Sequence, residues 1–304
     1  MEHACGPHPL PAHVCKPQAI LEDAVSETLL MNEESEKSPQ DKNILNIGPG
    51  VLAGTLSMGL PREDGGVLVL DTSFSVRGMS GREEDILAGK GNVIARLNLM
   101  MSRCVTSIGP RTSGFDKAIM ALSATDRAIL LLAIRRATVG DTYRMRVTCP
   151  TCHDQEIITT GRPAVDLSEV EFKRPADLTP ERSFSDELPM SKQSVRWHVL
   201  CGEDEMWLGS IPAKKRQVYG ASLAFLARVD AVGGSILNRA ASFEACINIL
   251  ADLPSGDRQW LRNRFSAREG DVDLTITYTF EECGHFVEFP LDVSQRDFFS
   301  PQEI

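Results

Sequence analysis

The sequence predicts an α+β protein with two duplicated helical units, each followed by a β-hairpin knuckle of zinc-ribbon type, and an extended N-terminal arm in front. Three observations carry this reading. A strand-like run from Arg144 to Thr148 leads into Cys149-Pro-Thr-Cys152-His153. A second run, Thr275 to Thr279, leads into Phe280-Glu-Glu-Cys283-Gly284-His285. An Asp-Arg pair stands upstream of each, Asp126-Arg127 and Asp257-Arg258, and the spacings agree: 23 residues to Cys149 and to Phe280, 26 to Cys152 and to Cys283. The two copies are thus offset by 131 residues, and Phe280 stands where a cysteine would open the second knuckle.

The elements follow in order. Residues 1–50 read as an arm, rich in Pro, His and polar residues. Within it Ile20, Leu21, Val25, Leu29 and Leu30 are spaced for one helix face; an exposed helix and a segment that docks on a partner subunit both fit. Cys5, His8, His13 and Cys15 lie in the same arm, open to zinc binding, to a Cys5–Cys15 disulfide, or to no structure at all. Residues 51–160 form the first unit. It starts as irregular β structure around Gly66–Leu70 and Phe74–Val76. At Ser80 a capping box with Glu83 opens a helix, which breaks at Gly89–Gly91. Helices follow over about Asn92–Val105 and from Ser123–Asp126 to Ala137; Ile129–Ile134 is nearly all apolar and should be buried. Gly140 ends the last helix.

Residues 161–193 carry Pro163, Pro175, Pro180 and Pro189 and read as a linker. Residues 194–301 form the second unit. Val195, Trp197 and Val199 alternate, Gly202–Glu205 reads as a solvated turn, and Met206–Leu208 as the returning strand. Helices are expected over about 213–229, 234–250 and 254–267, with the helices at 92–105 and 234–250 as a further matching pair. At the chain end Phe298 and Phe299 are adjacent. Either both rings cover the second helical unit, or one fills a pocket on a partner.

Composition narrows the function. A chain of 304 residues has room for about two domains. Its 42 acidic against 32 basic residues give a net charge of −10, which argues against phosphate-backbone and anionic-membrane partners. No apolar run approaches the ~18–20 residues of a membrane span, and the start lacks the apolar stretch of a signal peptide. The expectation is a protein made and kept in a cytoplasm. Eight cysteines are too scattered for a disulfide framework, so Cys104, Cys201 and Cys246 are expected to be reduced residues in apolar surroundings.

The chemistry candidate is zinc. A Cys-Pro-x-Cys turn aims two soft thiolates at one point. Cys149, Cys152 and Cys283 supply three ligands, with His285 as the fourth and His153 next in line. The opposing reading is a decayed site in which the paired hairpins stack through apolar residues. Thiol redox chemistry is disfavoured, because the first cysteine follows a strand and no helix N-terminus lowers its pKa. Hydrolase and phosphate-binding motifs are missing from the sequence. No substrate-binding signature for a small molecule is evident.

Several segments together resemble the baseplate and baseplate-hub assembly proteins of T-even contractile-tail phages. They are Val76–Ala88, Leu97–Cys104 with Ser107-Ile-Gly109, Asp126–Arg135, Gly140–Tyr143 running into Thr148–Cys152, and Phe289–Val293 with Phe298–Pro301. The resemblance covers about residues 65–160 and 240–301. Knuckles of that family usually read Cys-Pro-x-Cys-Gly, whereas His153 and Phe280 depart from the pattern. The resemblance implies a non-enzymatic component of a phage tail baseplate that binds other tail proteins. It would sit in the virion tail, and in the host cytoplasm during assembly. The alternative is a cytosolic zinc-ribbon adaptor or a transient assembly chaperone.

Overall fold

The computed structural model describes residues 44–48, 50–153, 160–161, 163–281 and 283–299. The arm's apolar face at Ile20–Leu30 and its Cys5, His8, His13 and Cys15 lie outside the described residues. The described part is a mixed α/β structure with several small antiparallel sheets.

The first sheet is an antiparallel meander of β1 (Ile44–Gly48), β2 (Val51–Asp64), β3 (Val67–Arg77) and, later in the chain, β4 (Val105–Ile108). Gly65 and Gly66 join β2 to β3 with φ of 59° and 84°. Two successive left-handed residues make the tight turn whose twist matches that of the flanking strands, and glycine adopts it without steric cost. Register slips between Thr55 and Leu60, turning Leu56 and Met58 into the core at 0% and 1% exposure.

Helix α1 (Gly81–Ala88) opens with the expected capping box: the Ser80 N–H donates to the Glu83 carboxylate at 2.9 Å. Arg77 donates to the same carboxylate at 2.9 Å. That bond, with those from Ser80, holds Glu83 down at about 2 despite burial. Helix α2 (Val93–Cys104) is capped by Asn92, whose side chain accepts from the backbones of Ile94 and Ala95. A short α3 (Phe115–Ala121) follows β4. It was not evident in the sequence because seven residues give too little periodicity to read. Helix α4 (Ala124–Val139) is capped by Ser123, and Ile129–Ile134 are buried as expected.

Short pairs follow: β5 (Thr142–Arg144) with β8 (Ala164–Asp166), and β6 (Val147–Thr148) with β7 (Thr160–Gly161), with the one-turn α5 (Pro150–His153) between β6 and β7. Next come β9 (Phe172–Lys173) and β10 (Ser183–Glu187), both within the segment expected to be linker. Strand β11 (Ser194–His198) pairs with β10. The expected hairpin through Gly202–Glu205 is therefore corrected: Gly202–Ser210 is helix α6. Its start carries a capping box formed by Cys201 and Asp204, so the acidic cluster is a helix N-terminus.

Helix α7 (Ala213–Leu226) leads to β12 (Val229–Val232) and β13 (Ser235–Ile236), which turn at Gly233-Gly234. The helix expected from residue 234 therefore begins only at Phe243, as α8 (Phe243–Ala251), and α9 (Ser255–Glu269) follows. Two hairpin strands, two helices, a strand and two helices thus run from β2 to α4, and again from β10 to α9 with β13 added. In that order α2 lines up with α7, not with the helix at Phe243–Ala251. The chain ends with β14 (Asp271–Val272), paired to β9, and the hairpin of β15 (Thr275–Thr279) and β16 (Phe286–Pro290).

Two apolar cores result. The first is built by β2–β4 and α1–α4 and also takes in Ile276, Leu291, Phe298 and Phe299. The second is built around Trp197, Phe225, Leu261 and Phe265. Phe298 and Phe299 are 0% and 2% exposed, with the Phe298 ring 5.3 Å from that of Tyr143. The terminal aromatics therefore belong to the first core. Neither sequence reading, second-unit cover or partner anchor, matches this.

Candidate metal centre

Strand β6 delivers Cys149, Pro150 opens α5, and the helical turn brings Cys152 back beneath Cys149. Proline is at ease at a first helical position, where its missing N–H has no partner to lose. In the second knuckle, Gly284 with φ of 65° bends the chain between β15 and β16. The Gly284 N–H donates to the Phe280 carbonyl at 2.8 Å, and the Phe280 N–H to the His285 carbonyl at 2.9 Å. That turn presents Cys283.

The two knuckles lie side by side. The Tyr278 ring covers Gly161 so closely that a Cβ there would come within 2.2 Å of it. The sulfurs of Cys149, Cys152 and Cys283 all lie within 4.8 Å of one another. Cys149 and Cys283 are separated by 3.7 Å. A tetrahedral zinc with Zn–S near 2.3 Å sets its sulfurs about 3.8 Å apart, whereas a disulfide would close them to about 2.05 Å. The donor set and its spacing therefore suit a soft, four-coordinate cation. Cys149 is fully buried, Cys152 half-buried and Cys283 exposed, so the cluster opens to the surface on the Cys283 side.

Cys283 receives the backbone N–H of His285, which favours its thiolate; burial and the neighbouring Cys152 and Cys149 outweigh this and raise its pKa. A divalent cation would reverse that balance, since coordination deprotonates a thiol. Phe280 takes the place a fourth cysteine would occupy. It is 0% exposed and meets Tyr278 edge-on with centroids 5.0 Å apart. His285 follows Cys283 by two residues and contributes its backbone, but its ring is not among the clustered ligand atoms. The side chain of His153 lies outside those described.

The remaining described cysteines are of another kind. Burial pushes Cys104 to about 12, and burial together with Asp204 does the same for Cys201. Burial also raises Cys246. These thiols stay protonated, as expected for reduced packing residues, although Cys201 is only half-buried and caps α6.

A second polar cluster was missed by the sequence reading. His198 lies between two carboxylates, Nδ1 at 3.1 Å from Asp230 and Nε2 at 3.1 Å from Asp204. Arg239 donates to the other oxygen of Asp204 at 2.8 Å. Burial alone would lower His198, but the two carboxylates prevail and raise it to about 9. Asp204, expected as a solvated turn residue, is 2% exposed. His198 and Arg239 overcome its burial and hold it at about 2. With both ring nitrogens engaged, His198 ties β11, α6 and β12 together as a charged pin. Local spacing carries no signal for this, because Asp230 and Arg239 lie 26 and 35 residues beyond Asp204.

Among the described residues no helix is long and apolar enough to cross a membrane. Residues 72–191, from β3 through the first knuckle to the turn before β11, match the family model of the T4 bacteriophage base plate protein. The match spans 120 of the 304 residues and overlaps the N-terminal group of segments that resemble the T-even baseplate proteins. No curated protein and no solved structure matches the chain.

Proposed function

We propose that this chain is a structural or assembly component of a contractile-tail baseplate and acts by binding other tail proteins, without catalysis. The observation that carries the reading is the family match over residues 72–191. The titratable groups with large shifts support it, because each is committed to holding structure: Glu83 to Arg77, Asp126 to backbone amides, His198 to two carboxylates. Under this reading the chain works in the virion tail and meets its partners in the host cytoplasm, with no nucleic acid, membrane or small molecule among them. Mass spectrometry of purified particles tests it. A fixed copy number fits the structural component. Absence from particles, combined with failure of tails to form without the chain, would favour the transient chaperone instead.

The same reading includes two duplicated units joined by a zinc-bound knuckle pair. The recurring element order supports the duplication, as does a shared detail of α4 and α9. Asp126 accepts the N–H groups of Met58 and Gly59 at 3.0 and 2.9 Å. Asp257 accepts those of Met190 and Ser191 at 2.7 and 2.9 Å. Zinc would be held by Cys149, Cys152 and Cys283 with His285 completing the set, and its task would be to lock the knuckles together. Metal analysis of the purified chain, expected at one zinc per chain, tests this part.

A further inference from the structure

Among the described residues, the outer half of the β2–β3 hairpin is a two-stranded ribbon with no further strand beside it. β1 pairs with β2 only over Val51–Gly54, and β4 with β3 only over Phe74–Val76. From Leu60↔Asp71 to Asp64↔Val67 the two strands pair with each other and with no other described strand. In a hairpin closed by a two-residue turn, the pair next to the turn is hydrogen-bonded and pairs alternate from there. Glu63, Pro61, Leu68 and Leu70 therefore turn their backbone groups outward.

The two edges differ. On β2 the outward positions are Pro61, which has no N–H, and the charged Glu63, and Arg62 and Asp64 stand beside them. Proline and charge are the usual guards against strand addition. On β3 the outward positions are Leu68 and Leu70, within the run Val67-Leu-Val-Leu70. Val67 is 63% and Leu68 53% exposed. An unguarded apolar edge beside a guarded one is a directed strand acceptor.

Building on the baseplate reading, we propose that the free edge of β3 at Val67–Leu70 docks an extended, apolar strand of a different tail protein. Charge argues against a second copy. The ribbon carries one cation, Arg62, against Glu63, Asp64 and Asp71. Arg62 is already spent on Asp71 at 3.0 Å and Asp64 at 3.2 Å. Two such ribbons would bring uncompensated carboxylates together, on chains that each carry −10. A partner strand bearing Lys or Arg next to its apolar residues would relieve them.

The test places a photo-crosslinking residue at Leu68, and separately at Glu63 on the guarded edge, in the full chain made during infection. The expected result is an adduct to a different tail protein from position 68 and none from 63. Leu68→Lys, which adds an edge guard at an exposed site, should melt like wild type yet enter tails at least tenfold less well. An adduct to a second copy of the chain overturns the choice of partner. Absence of any adduct from position 68, or normal entry of Leu68→Lys into tails, overturns the docking edge while leaving the baseplate reading intact. If the unmodified chain associates with no tail protein, the baseplate reading falls and the docking edge with it.

Discussion

Asp126 and Asp257 hold the same position in two helices 131 residues apart and perform the same task. Each is the third residue of its helix, and each is fully buried. Each accepts two consecutive backbone N–H groups from a segment 66 to 68 residues upstream. A carboxylate there also lies at the positive end of the helix dipole. Their surroundings differ. Deep burial raises Asp126 to about 6, against the pull of Met58, Gly59 and Arg182. Asp257 pays a burial penalty too, but the N–H groups of Met190 and Ser191 overcome it and lower its pKa.

The two carboxylates should therefore shape stability against pH in opposite ways. For Asp126 the folded pKa lies above the unfolded one. Its contribution is complete below about pH 3.8 and is lost as pH rises through about 6. Asp257 contributes above the unfolded value and loses that contribution as pH falls through its lowered folded pKa. Urea midpoints measured from pH 3.5 to 7 should lose their decline between pH 4 and 6 in Asp126→Asn, and keep it in Asp257→Asn. Either alanine variant strands two buried donors and should cost about 2–5 kcal/mol.

His198 gives a third pH signature, at the alkaline end. Its folded pKa of about 9 exceeds the unfolded 6.5, so its contribution is full below pH 6.5 and lost as pH rises through 9. His198→Gln should destabilise at pH 6 and flatten the profile between pH 6.5 and 9. A wild-type profile already flat over that range would show that the imidazolium is not the pin.

If zinc locks the knuckles, its binding is folding free energy, and loss of one thiolate forfeits much of it. Cys149→Ser and Cys152→Ser should lower the melting temperature far more than Cys201→Ser, and chelator should reproduce the drop in wild type only. A melting temperature indifferent to chelator would favour knuckles held by Tyr278 and Phe280 alone.

Much of this was legible along the chain. The Ser80–Glu83 capping box, the buried run Ile129–Ile134 and the meeting of Cys149, Cys152 and Cys283 follow from local chemistry or from matched spacing. What escaped was set by tertiary context. Met206–Leu208 reads as the returning strand of a hairpin, yet Cys201 and Asp204 start a helix ahead of it, and capping prevailed over a three-residue apolar run. β10 was hidden among prolines because its partner β11 supplies what its own sequence lacks. Phe298 joins the first core because β5 places Tyr143 beside it, a relation across more than 150 residues that periodicity does not report.

That placement makes the terminal aromatics core residues. Phe298→Ala and Phe299→Ala should each cost about 3–5 kcal/mol, with comparable drops in melting temperature. If one of them lowered tail assembly while leaving the isolated protein's melting unchanged, that ring would not be seated in the first core.

The closest joint between the knuckles gives the final prediction. Gly161 is buried beneath the Tyr278 ring, and a methyl group there would sit 2.2 Å from Cε1, inside any real contact distance. The ring cannot retreat freely, because Phe280 holds it edge-on at 5.0 Å. Gly161→Ala should therefore push the two hairpins apart, and a short hairpin alone is marginal in water. The effect should read out twice: as a lowered melting temperature, and as thiols of Cys152 and Cys283 that no longer crosslink with a short bis-maleimide. Tyr278→Ala removes the obstacle at the cost of its own packing, so the double variant should be less destabilised than the two single losses combined. Strict additivity of the two would mean that Tyr278 and Gly161 do not touch, and the side-by-side arrangement of the knuckles would need another basis.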